Sequence, residues 1–96
     1  MKVVYTEEAL ENLDAILGFV ATHYPTLSPR LERRLRTVLA RIAAWPESAQ
    51  EVAERPGVRM VPLIRYPYKI FYRITDEAVE ILYIHHAAQR PPWGDA

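Results

Sequence analysis

The chain has 96 residues, room for one domain with a modest core. Twelve Lys and Arg balance twelve Asp and Glu, so net charge gives no reason to expect a polyanion partner; any such reason must come from local clustering. Cysteine is absent, which removes disulfides, thiolate metal sites and a Cys nucleophile and fits a reducing cytosol. No apolar run approaches the roughly 20 residues of a membrane span, and no signal peptide follows Lys2, so a cytoplasmic protein without membrane contact is expected.

Val3, Val4 and Tyr5 have the β-branched and aromatic character of a short strand. Thr6 can cap a helix whose positive end Glu7 and Glu8 favour. Leu10, Leu13, Ile16, Leu17, Val20 and Tyr24 recur at steps of three and four, predicting an amphipathic helix over about 7–23 that Pro25 ends. Ser28 as cap and Pro29 as first helical residue predict a second helix. Leu31, Leu35, Val38, Leu39, Ile42 and Trp45 form its apolar face, up to Pro46. The short link makes the pair a helical hairpin. Residues 46–57 read as a loop, with room for one helical turn. Strands are expected over 58–64, 68–74 and 79–85, with a turn near Arg65-Tyr66-Pro67 and Pro62 marking an edge or a bulge. Val79, Ile81 and Tyr83 alternate with Glu80, Leu82 and Ile84, as in a well-covered strand.

The resulting β-α-α-β-β-β order predicts a single α+β domain over 1–96, a helical hairpin packed on a small, mainly antiparallel twisted sheet, with a tail from about 87 to 96. The first strand must return beside a later one. The expected core comprises Leu13, Ile16, Leu17, Leu35, Leu39, Ile42, Ile70, Tyr72, Ile81 and Tyr83.

Common enzyme signatures are missing: no G-x-G-x-x-G, P-loop, H-E-x-x-H or G-x-S-x-G occurs. Adjacent strand residues point to opposite faces, so His85 and His86 do not share an ion, and His23 is remote; no metal and no cofactor is expected. The last forty residues gather Arg65, Tyr66, Tyr68, Lys69, Tyr72, Arg73, Tyr83, His85, His86, Arg90 and Trp93. Interleaved cations and aromatics suit phosphates and bases, or a carboxylate-rich protein groove. Arg30, Arg33, Arg34, Arg36 and Arg41 avoid the apolar stripe of the second helix and read as a solvated face.

The opening Val3-Val4-Tyr5-Thr6-Glu7-Glu8-Ala9, the run Pro56-Gly57-Val58-Arg59, the stretch from Arg65 to Ile74 and the segment Glu80-Ile81-Leu82-Tyr83-Ile84-His85-His86-Ala87 follow in an order that resembles the RelE/ParE toxins, closer to the ParE branch. The resemblance implies the toxin of a type II toxin–antitoxin pair, neutralised by a cognate antitoxin with a ribbon-helix-helix, ParD-like DNA-binding half and a helical tail. ParE-like members poison DNA gyrase; RelE-like members cut messenger RNA in the ribosome. By alignment, the RelE lysine positions hold Met60 and Pro62, Lys69 matches the turn arginine, the late arginine falls near Gln89 or Arg90, and the terminal tyrosine has no match. Some ribonuclease relatives use a Glu, an Arg and a C-terminal His, and His86 lies close to that position. The resemblance therefore favours a gyrase poison, with Arg65, Tyr68, Lys69, His86, Arg90 and Trp93 as target-binding residues. The alternative is a metal-independent ribonuclease using Arg65, Lys69, Arg73 and His86. A member that binds its antitoxin without being toxic is the third option.

Overall fold

A computed structural model describes residues 1–88. Strand β1 (Lys2–Tyr5) leads into helix α1 (Glu7–His23), followed by α2 (Ser28–Ala44) and a 3-10 turn (Pro46–Ser48). Strands β2 (Gln50–Glu51), β3 (Val58–Pro62), β4 (Tyr68–Ile74) and β5 (Ala78–His86) complete the order. One sheet runs β1-β5-β4-β3-β2, with β1 parallel to β5 and every other pair antiparallel. The expected architecture is present, with the two-residue β2 added inside what read as a loop.

Local chemistry accounts for most boundaries. The Thr6 hydroxyl accepts from the Ala9 N–H, as an N-cap does. Ser28 does not cap α2. It is the first helical residue, and the cap position falls to Leu27, already in a right-handed conformation and with no side-chain bond. The cause is a tight link: Leu27 N–H donates to Tyr24 O and Ser28 N–H to Pro25 O, so the chain enters α2 from a turn rather than from an extended residue. Strand β3 stops at Pro62, short of the expected residue 64. Its outer neighbour β2 pairs with Arg59 and Met60 alone, which leaves Pro62 on an uncovered edge where its missing N–H costs nothing.

The core lies between the hairpin and one sheet face, centred on Leu31, Leu35, Ile42, Ile70, Tyr72, Val79, Ile81 and Ile84. Leu13, Ile16, Leu17 and Leu39 pack against it while partly exposed. Tyr83 is the exception among the expected core residues. Phe71 pairs with Tyr83 and Tyr72 with Ile81, so Leu82 is an extra residue, a β-bulge. A bulge reverses the alternation of side chains. Val79 and Ile81 face the helices before it and Ile84 and His86 after it, so Tyr83 turns to the far face beside Phe71 and His85. The bulge is held from α1: Thr6 Oγ1 donates to Leu82 O at 3.0 Å, and Ile84 N–H donates to Asn12 Oδ1 at 3.1 Å.

Candidate functional site

The cation-aromatic segment falls on two faces of the sheet. On the helix side, Tyr68 and His86 are register partners whose rings meet edge to face, with centroids 5.7 Å apart. Ala88 N–H donates to His86 Nδ1 at 3.1 Å. On the far side, Lys69 pairs in register with His85. Arg73 stands near the other end of β4, about 17 Å from Tyr68 at the usual rise per residue. Its Nε donates to Glu80 Oε1 at 2.6 Å. The structure thus brings Tyr68 and His86 together, places Lys69 on the opposite face, and sets Arg73 apart. Arg90 and Trp93 lie outside the described residues. His85 and His86 point to opposite faces, and among the described residues no group of three or more His, Asp or Glu is placed to hold a metal ion. No helix there is long and apolar enough to cross a membrane.

Arg65 occupies the turn between β3 and β4. Tyr66 N–H donates to Leu63 O, closing a four-residue turn whose third residue, Arg65, has φ +83°. That left-handed conformation suits glycine and costs other residues roughly 1 kcal/mol or more. Pro67 O accepts from Ala87 N–H at 2.6 Å, tying this turn to the end of β5.

Two concavities meet at this end of the molecule. The first is an apolar groove of about 400 Å³ between the helical hairpin and the sheet. Phe19, Val20, Tyr24, Leu27 and Leu31 form its helical wall; Tyr66, Pro67, Tyr68 and His86 form the other. Phe19 and Tyr24 are more than half exposed, an unusual placement for large apolar side chains in close company. The second is a cleft of about 500 Å³ lined by Arg30, Arg33, Arg34 and Thr37 of α2 and by Ile64, Arg65 and Tyr66. Tyr66 belongs to both.

The sequence placed Tyr72 in the core and in the cation-aromatic segment but gave no role to Arg59. Arg59 Nη1 donates to Ala49 O and Glu47 O, and the Tyr72 hydroxyl donates to Pro46 O at 2.6 Å; together they pin the 3-10 turn to the sheet. Burial pushes the Tyr72 phenol above its ordinary pKa, against the nearby Arg59 charge and a backbone hydrogen bond, and pushes Tyr5 up likewise. The α2 arginine row, expected as a solvated face, is exposed at Arg30, Arg33, Arg36 and Arg41, and Arg30, Arg33 and Arg34 also line the cleft. The signal that joins it to Arg65 is tertiary, and no spacing in the sequence carries it.

A helical hairpin laid on a sheet whose first strand runs parallel to its last is also the fold of known bacterial toxins. A chain of the chromosomal ParDE TA system from P. aeruginosa superposes with a TM-score of 0.75 at 24% identity, covering 90% of this chain and 95% of that one. The isolated E. coli RelE toxin superposes at 0.58 with 18% identity, covering 96% and 88%. Toxin RelE2 of Caulobacter vibrioides is 34% identical over 89 residues, 92% of this chain and 97% of that protein. The family model of the ParE toxin of the type II toxin-antitoxin system, parDE, matches residues 3–91. This chain belongs to that ParE toxin family.

Proposed function

We propose that this protein is a cytoplasmic, growth-arresting toxin that inhibits DNA gyrase through protein contacts and is neutralised by a ribbon-helix-helix, ParD-like antitoxin. The observation that carries the choice of target is the scatter of the ribonuclease candidates. Metal-free RNA cleavage needs a base, an acid and a cation around one phosphate. Lys69 and His86 point to opposite faces of the sheet and Arg73 is engaged by Glu80 well along the strand, so of the four candidates only Arg65 shares the His86 end. A gyrase poison needs no such convergence. It needs anchors, and arginine, tyrosine and tryptophan serve well as interface hot spots; Arg65, Tyr68, Lys69, His86, Arg90 and Trp93 are the anchors proposed here.

The antitoxin reading rests on the family and on the apolar groove. A helical tail lays its apolar side chains against Phe19, Tyr24 and Leu27, whose exposure is otherwise costly in water. Co-purification with the product of the adjacent reading frame tests it, and failure to form any complex counts against it.

The target is tested with two purified systems: gyrase with plasmid DNA, and translating ribosomes with messenger RNA. Gyrase inhibition without codon-linked cleavage is expected, and His86→Gln keeps much of the activity, because size and hydrogen bonding are partly kept. Ribosomal cleavage reduced about 10²–10⁴-fold by His86→Gln, with gyrase untouched, overturns the proposal in favour of a ribonuclease.

A further inference from the structure

Charge along the helical hairpin is segregated. Helix α1 carries Glu7, Glu8, Glu11 and Asp14 and no Lys or Arg, whereas α2 carries five arginines against the single Glu32. The hairpin is antiparallel, so the acids of α1 lie beside the far end of α2 and do not face Arg30, Arg33 and Arg34. Those three sit at positions i, i+3 and i+4, on neighbouring ridges of one helix face, and repel one another mildly. Across the cleft stands Arg65. Among the described residues none of the four has a carboxylate within 4 Å, and Arg34 Nε is shut off from solvent without a hydrogen-bond partner. A buried donor left in that state is destabilising. Arg65 adds a second departure from the lowest-energy arrangement, because its left-handed backbone favours glycine.

We infer that this cleft is a carboxylate-binding site that receives an acidic stretch of the antitoxin, immediately beyond the apolar residues seated in the neighbouring groove. The inference rests on the antitoxin reading above and specifies the chemistry of that partner. Charge complementarity narrows the occupant to an anion: four guanidinium groups present forked donors that match carboxylates or phosphates in pairs. Continuity with the groove through Tyr66 selects a protein segment over a nucleic acid. The groove beside the cleft sets Val20, Leu27 and Leu31 among the rings of Phe19, Tyr24, Tyr66 and Tyr68, a surface that suits the apolar stripe of a helix. The expected ligand is an amphipathic segment with an apolar stripe followed by two or more Asp or Glu residues.

The test uses the full chain and the product of the adjacent reading frame, with affinity measured at low and moderate salt. Arg33→Glu with Arg65→Glu weakens binding on the order of tenfold or more at low salt, and the gap narrows as salt rises. Arg65→Gly removes the side chain while relieving the backbone, so it weakens binding a few-fold with an unchanged or higher Tm. That variant separates recognition from folding. Arg36→Glu with Arg41→Glu makes the same charge change on the same helix outside the cleft and stays within about twofold of wild type. Cleft variants that bind as tightly as wild type overturn the inference and leave the antitoxin reading standing. A control that falls as far as the cleft pair overturns it too, because a general field and not a site is then at work. A fluorescent single-stranded RNA 12-mer is the second arm: RNA binding lost in the cleft variants, with antitoxin affinity unchanged, assigns the cleft to a nucleic acid and overturns the inference. Absence of any wild-type complex overturns the antitoxin reading and the inference together, a result distinct from the other three.

Discussion

Replacing Thr6 by Val keeps the side-chain shape and removes one oxygen that serves two elements. The hydroxyl accepts from Ala9 N–H at 3.1 Å and donates to Leu82 O at 3.0 Å, both partly buried. Loss of an N-cap costs about 1 kcal/mol. A shielded carbonyl left without its donor costs about 1 kcal/mol more. The sum, about 2 kcal/mol, corresponds to a fall in Tm of about 8–16 °C for a domain of this size. Thr6→Ser retains both bonds and stays within a few degrees of wild type. The same lesion loosens the bulge that turns His86 toward the groove, so antitoxin affinity falls along with stability, whereas a plain capping defect leaves it intact. Thermal and urea denaturation provide the stability change, and titration with the antitoxin provides the affinity. A Thr6→Val protein melting within about 2 °C of wild type refutes the reasoning, because neither bond then contributes as described.

Ile81→Ala, at a fully buried position, is expected to cost about 3–4 kcal/mol, and Leu39→Ala, at a partly buried one, about 2 kcal/mol; equal losses in urea titrations count against the burial assignment. Tyr72→Phe breaks the bond to Pro46 O and costs about 1 kcal/mol at neutral pH, measured the same way. The folded-state phenol of Tyr72 titrates above its ordinary value of 10.0, so its contribution is complete below pH 10 and is lost as pH rises and the unfolded chain ionises first. Stability that does not fall on raising pH through this window refutes that shift, and Tyr72→Phe makes the fall shallower while Tyr5 retains a share. Asn12→Leu removes the acceptor for Ile84 N–H and is expected to speed hydrogen exchange at that amide more than at Ile70.

The sequence was informative wherever structure is set by near neighbours. The Thr6 cap, the apolar faces of both helices, the Pro25 break and the strands around Ile70 and Ile81 all follow from spacings of four residues or fewer. Elsewhere it misled or was silent. Tyr83 read as core because strict alternation was extended through Leu82, whereas the bulge is held by Thr6 and Asn12, whose bonds span 76 and 72 residues. Strand β2 has two residues and therefore no pattern to detect. Lys69, Arg73 and His86 looked like neighbours because they share a segment, but pleat and strand length separate them. The arginines of α2 read as a solvated face, and Arg30, Arg33, Arg36 and Arg41 are exposed; that the β3–β4 turn faces three of the row across a cleft has no local signal.

The parallel pairing of β1 with β5 imposes an order on synthesis. The first strand to leave the ribosome has as its partner the last, with Lys2 beside Ala78 and Tyr5 beside Ile81. The α1–α2 hairpin can form early from local contacts, yet the sheet face that buries it waits for residues near the end of the chain. A nascent chain stopped before Ala78 therefore holds an amphipathic hairpin with no β5 to complete the face against which it packs. The groove wall made by His86 and the cap on Leu82 arrive later still. The groove between hairpin and sheet is therefore complete only as translation of these residues nears its end.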